Sequence, residues 1–178
     1  GSVAMGDHAN AYGNGDIAIG QNASANGVGY YGTAPATAVG TGAVAANQGA
    51  SAFGNNASAT GQYSIALGGQ ANASGKYSSA TGFRSEASGS WSTANGELAI
   101  AKGKYSTAVG SHVYASGTYA TALGSWSYAT GYGGTAAGFG SHADGHYSTA
   151  LGIGAHATNG GTTALGATTR SIRFWAVL

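Results

Sequence analysis

Small and large side chains alternate along most of this chain. In Tyr105–Gly110 (YSTAVG), Ser106, Ala108 and Gly110 take one parity, while Tyr105, Thr107 and Val109 take the other. Alternation at two-residue spacing marks a β-strand with two unlike faces. The same run returns as YATALG from Tyr119 and as YSTALG from Tyr147, so the pattern is periodic as well as alternating.

The period is 14. With the unit numbered from Gly103 (position 1) to Ser116 (position 14), position 6 is Ala in every unit from Ala4 to Ala164. Position 8 is Gly from Gly6 to Gly166, and position 13 is Ala from Ala11 to Ala157. The phase slips once, between Gly20 and Gly40, and the extra residues fall near 27–32. Such an insertion belongs in a turn between units. Positions 4, 6 and 8, with 11 and 13, hold little but Ser, Ala and Gly. A strand face of such small residues implies close approach by another backbone. The pattern therefore predicts an all-β parallel solenoid of about 12 coils, each folding two short strands across a very thin core.

The variable positions then point outward. Position 7 carries Ile19, Val39, Phe53, Leu67, Val109, Leu123, Leu151 and Leu165, interrupted by Thr81 and Asn95. Position 5 adds Ile17, Ile65 and a run of threonines from Thr93 to Thr163. Position 3 adds Tyr63, Tyr77, Trp91, Tyr105, Tyr119 and Tyr147. One apolar stripe along a thin rod is more than a soluble monomer usually exposes. An alanine interior contributes little per residue, so the stripe predicts association, with Asn95 and its apolar neighbours facing partner chains. Positions 10 and 12 read as the solvent face of the second strand. Their first half is amide-rich (Asn22, Asn56, Asn72); their second half holds His112, Tyr114, Trp126, Tyr128, His142 and His156.

Composition sharpens this picture mainly by exclusion. The 178 residues include 34 Gly and no Cys, and six Lys and Arg against five Asp and Glu leave a formal charge of +1. Nothing here forms the basic footprint of a nucleic-acid or acidic-membrane binder, and no apolar run approaches a membrane span. Without cysteine, neither disulfides nor thiolate metal sites are expected.

Chemistry is equally sparse. The serines at position 4 (Ser64, Ser78, Ser92, Ser106) read as small interior residues rather than nucleophiles, because no base is placed beside them. His142 and His156 share a column in adjacent coils, within reach of one metal ion, but read first as surface histidines. GYGGTAAG (131–138) lacks the following helix that a phosphate loop needs. No catalytic, metal or cofactor set is expected, so the chain does not read as an enzyme.

SVAMG (2–6), YSIALG (63–68), YSTAVG (105–110) and YSTALG (147–152) resemble the head repeats of YadA-like trimeric autotransporter adhesins. The resemblance spans nearly the whole chain. It implies a left-handed parallel β-roll over residues 1–169, assembled as a homotrimer on the surface of a Gram-negative bacterium. It further implies binding of host matrix proteins of the collagen, fibronectin or laminin type, or of cell-surface glycans. Arg170, Ile172 and Ala176 in RSIRFWAVL are similar to the start of the family's neck, so 170–178 reads as a neck or end cap. The family's stalk and outer-membrane anchor have no counterpart here, so the chain reads as a head fragment joined to a membrane only through parts outside it.

Three alternatives stand beside this one. Phage tail fibres carry similar repeats, and IRFWA (172–176) resembles a segment found in some of them. The threonine run at position 5 suggests an ice-binding array, although the mixed Leu and Val of position 7 do not suit a flat one. A self-assembling filament is open to any solenoid with exposed strand edges.

Overall fold

A computed structural model describes residues 1–29 and 32–171. Two parallel sheets of 12 strands each run the length of the molecule. The first sheet is built from the three-residue strands, Val3–Met5 through Thr163–Leu165; the second from the two-residue strands, Asn10–Ala11 through Arg170–Ser171. Each strand pairs with its equivalent one coil on, so columns of like position stack in register: Ala94 on Ala108 on Ala122, Ala101 on Ala115 on Ala129. The expected all-β parallel solenoid of 14-residue coils is the observed architecture.

The interior is one methyl deep. Position-6 alanines from Ala18 to Ala164 and position-13 alanines from Ala25 to Ala157 are buried, and Val113 is the largest side chain wholly inside. A buried methyl contributes only about 0.8 kcal/mol, so the backbone ladder carries much of the load. That ladder extends beyond the strands into the corners. Thr107 N–H donates to Ala120 O within the first sheet, and Tyr119 N–H donates to Lys104 O at a corner, both at 2.9 Å. Position-4 serines are buried as foreseen; Ser64 Oγ donates to Gly61 O at 2.7 Å, whereas the hydroxyls of Ser78, Ser92, Ser106 and Ser148 have no hydrogen-bond partner among the described residues.

Three positions differ from the alternation reading. Position 8 is not an interior position; its glycines sit at a corner. Gly68 has φ +136°, and a Cβ there would lie 2.6 Å from Gly82 O of the next coil. Position 1 is confined in the same way, since a Cβ on Gly103 would land on the Gly117 carbonyl. Positions 3 and 10 lie on neither strand. They are corner residues in the left-handed region, with φ near +55° at Tyr63, Trp91, Leu98 and His112. Each half-coil of seven residues thus repeats one plan: glycine, a left-handed corner two residues on, then a short strand.

The residues added between Gly20 and Gly40 form an antiparallel hairpin, Val28–Gly29 with Gly32–Thr33. A buried carboxylate holds its base. Asp16, at a position filled elsewhere by Ser, Ala, Gly or Thr, accepts N–H bonds from Gly13 (2.7 Å) and Gly27 (2.9 Å) on Oδ2 and from Ala36 (2.8 Å) on Oδ1. At the other end Arg170–Ser171 pairs with His156–Ala157; the rest of the neck pattern, Ile172 and Ala176, lies outside the described residues.

Asp16→Asn turns one acceptor oxygen into a donor facing backbone N–H groups. With hydrogen bonds to a charged group worth about 1.5–3 kcal/mol each, the variant is expected to lose about 3 kcal/mol or more in urea unfolding. A loss below about 1 kcal/mol would show that the hairpin base does not depend on the carboxylate.

Candidate binding surface

The left-handed corners decide what the surface looks like. A non-glycine residue in this region costs roughly 1–2 kcal/mol, and Tyr and Trp are unusual choices for it. In each coil the corner sits at the same height, so successive corner side chains meet. At position 3 they make a ladder of rings: Tyr63 on Tyr77 at 5.4 Å, Tyr77 on Trp91 at 5.4 Å, Trp91 on Tyr105 at 5.2 Å and Tyr105 on Tyr119 at 5.0 Å. Gly133 leaves a gap in this column, and Tyr132, one residue earlier, fills it edge-on between Tyr119 (5.6 Å) and Tyr147 (5.3 Å). Such contacts contribute about 0.5–1.5 kcal/mol per pair, which offsets the backbone strain. Lys104 Nζ lies 5.5 Å from the Trp91 ring and 5.0 Å from the Tyr105 ring. The aromatic residues expected beside the apolar column therefore form a rib of their own.

A second set of rings covers the second sheet. His112 stacks on Trp126 at 4.4 Å from two position-10 corners. Along the strand column, Tyr114 meets Tyr128 at 6.3 Å, Tyr128 stacks on His142 at 4.7 Å, and His142 stacks on His156 at 4.5 Å. Position 10 is a corner and position 12 a strand residue, so the two columns do not form one flat face. They flank an open groove of about 260 Å³ lined by Leu98, Ile100, His112, Val113, Tyr114, Trp126 and Tyr128. Val113, 1% exposed, lies at its base.

The candidate ligand residues thus divide. His112, Tyr114, Trp126 and Tyr128 surround the groove, whereas His142 and His156 continue the Tyr128 column past it. Leu98, Ile100 and Val113 were not among the candidates. Their signal was present, as the departures from polar residues and from Ala in their columns. Stacking has a chemical consequence, because ring faces turned toward one another leave mainly edges for a partner. Charge is modest here: Lys102 Nζ lies 3.8 Å from Glu86 Oε1 and 5.8 Å from the Tyr114 ring. His142 has Asp144 at 3.9 Å, and Thr130 Oγ1 donates to that carboxylate at 2.7 Å. Among the described residues, no three His, Asp or Glu side chains converge as a metal site would require.

The position-7 residues form one unbroken column in the register of the first sheet. Ile19 pairs with Val39, Val39 with Phe53 and Phe53 with Leu67. Asn95 pairs with Val109 and Val109 with Leu123; Leu151 pairs with Leu165. In the single chain Leu67 is 48%, Leu123 39% and Leu165 70% exposed. Ile19, Val39 and Leu151 are half-buried and Asn95 is exposed.

The model of the YadA head domain repeat matches residues 1–23, 11–29, 35–57, 59–85, 87–112, 115–141 and 143–169. No curated protein matches the chain.

The ring ladder predicts an inverted order of substitution at its corners. In a regular strand Gly is worse than Ala by roughly 0.5–1 kcal/mol. At Trp91, φ +56°, both variants lose the stacking, but only Gly relieves the backbone. Trp91→Gly is expected to melt above Trp91→Ala. Finding Ala the more stable of the two would mean that the corner strain is not what stacking offsets.

Proposed function

The chain belongs to the YadA head-repeat family, and on that premise we propose that it is a non-enzymatic adhesin head. In this reading it works as a homotrimer on the bacterial surface and holds host matrix protein in the groove between the two ring columns. The observation that carries the ligand half is the lining of the groove. It is apolar almost throughout, and the aromatic faces beside it are already stacked. An apolar side chain of a protein ligand suits such a groove better than the hydroxyl-rich face of a sugar. Affinity comes from repetition, since three chains and many copies on one cell multiply a weak contact. Collagen, fibronectin and laminin type proteins are the ligands to test first, with cell-surface glycans as the competing outcome.

The exposed position-7 column supports the assembly half. Each Leu, Val or Ile there gains about 1.5–3 kcal/mol when fully buried, more than the alanine interior offers per residue. Three copies packed along this column would cover it and bring three Asn95 amides together, where buried amides need partners.

Two variants separate the halves. Leu123→Asp would be harmless on a solvent-exposed strand but would place an unpaired charge in a dry contact. Light scattering should then find smaller species or a sharply lower melting point; an unchanged trimer would refute the column as the interface. Trp126→Ser combined with Tyr128→Ser should abolish adhesion to immobilised matrix proteins while the trimer persists, its melting point lowered only by the lost ring contacts. Adhesion left intact, or binding only to a glycan array, would remove the groove from the matrix-binding role.

A further inference from the structure

The strip beyond the groove carries a chemistry that adhesion does not use. His142 and His156 are register partners on neighbouring rungs of the second sheet. Their rings stack at 4.5 Å and 7°, close to parallel, and His142 stacks on Tyr128 at 4.7 Å on its other side. The column continues with Arg170, the register partner of His156. His156 is therefore bracketed by an imidazole on one rung and a permanent cation on the next. Face-to-face stacking suits two neutral imidazoles and not two imidazolium ions. The sheet holds the rungs at a fixed spacing, so the rings cannot separate without loosening the column.

We propose that the His142–His156 step is an acid-sensitive seam, at which protonation drives adjacent rungs apart and loosens the last coils of the roll.

The groups around it are few. Tyr128, on the strand before, presents the face of its ring to His142. Asp144 is the acidic side chain that favours protonation, 3.9 Å from His142 Nδ1, and its carboxylate already accepts the Thr130 hydroxyl. The strands across the core, Thr135–Ala137, Thr149–Leu151 and Thr163–Leu165, carry no titratable residue. The adjoining corner column offers Gly140, Gly154 and Thr168, likewise uncharged. Arg170 and the second histidine oppose the single carboxylate. Burial, then the neighbouring His156, hold the His142 imidazole below its ordinary value of 6.5, with Asp144 acting the other way.

The direction of the effect follows. With the folded-state value depressed, the unfolded chain binds protons more readily than the folded one as pH falls through 6.5. The stability contributed by this step is complete above that pH and is lost as pH falls through the folded-state value. Carboxylates titrate lower, so a response between pH 7 and 5 isolates histidine.

The test is a series of thermal melts from pH 8 to pH 5 on the whole chain, with imidazole Cε1–H resonances followed by NMR in the same range. The melting temperature should hold from pH 8 to 7 and then fall by on the order of a few degrees toward pH 5. His156→Tyr keeps a ring in the column, as Tyr128 does two rungs earlier; it leaves the burial of His142 in place and should remove the part of that fall that comes from the second imidazole. His8→Tyr is the control, since His8 is exposed and stands beside Asp7 at 2.9 Å rather than beside a second imidazole; it should change nothing. A melting temperature that is level from pH 8 to 5, or a His156→Tyr variant with the full fall, overturns the proposal. Should that variant fail to fold, the wild-type resonances decide. Titration of His142 below 6.5 supports the seam, and titration of both His142 and His156 at or above 6.5 rejects it.

Discussion

Two backbones held one methyl apart are the constraint on which everything else in this molecule depends. Ala on Ala in every rung leaves no volume for adjustment, so the interior positions are nearly invariant in size along the chain. Packed interiors resist added volume because neighbouring atoms have nowhere to go. The thinness also moves the burden of stability outward. With so little apolar area inside, the hydrogen-bond ladder, the corner ladders and the exposed apolar column become the places where one coil differs from another.

The corners show how this works. A turn that must close within a few residues and stack on an identical turn forces positive φ at position 10 and, apart from Gly1 and Pro35, at position 3. Asn22, Asn56 and Gly42 meet that demand cheaply; Tyr77, Trp91 and Trp126 do not. What makes the large residues tolerable is their repetition, because a ring at one corner finds a ring at the next. The gap at Gly133 illustrates the point, since a tyrosine one residue away swings in to restore continuity. The shape of the surface is thus tied to folding, as the side chains that line the groove at Leu98, His112 and Trp126 are the ones that occupy strained corners.

Most of the architecture was legible in the sequence because a period of 14 and a parity of two are written directly in residue size. Ala108 and Ala122 announce an inward column, and Leu67 and Leu123 an outward one. Strand and corner could not be separated in this way. Position 3 shares the parity of 5 and 7, and position 10 that of 12, while Tyr and Trp usually argue for strand. Only backbone geometry reveals the left-handed turn. Asp16 was missed because a single carboxylate carries no pattern; its meaning comes from the three amides that converge on it. The groove was half legible. Its aromatic walls stood out in the composition of the second half, but its enclosure depended on a corner column and a strand column lying side by side, which residue size alone does not show.

The rungs stack along the axis of the rod, so the inter-strand hydrogen bonds point along that axis. A pull between the two ends therefore loads them one rung at a time, as in opening a zipper, rather than all together as in shearing two long strands. Each rung resists with only a three-residue and a two-residue strand. A single roll under tension would then lengthen stepwise, releasing 14 residues per event, with rungs between the ends and the break remaining folded. In the proposed trimer, chains standing side by side would divide the load before any rung yields, a mechanical gain separate from any contact area they share.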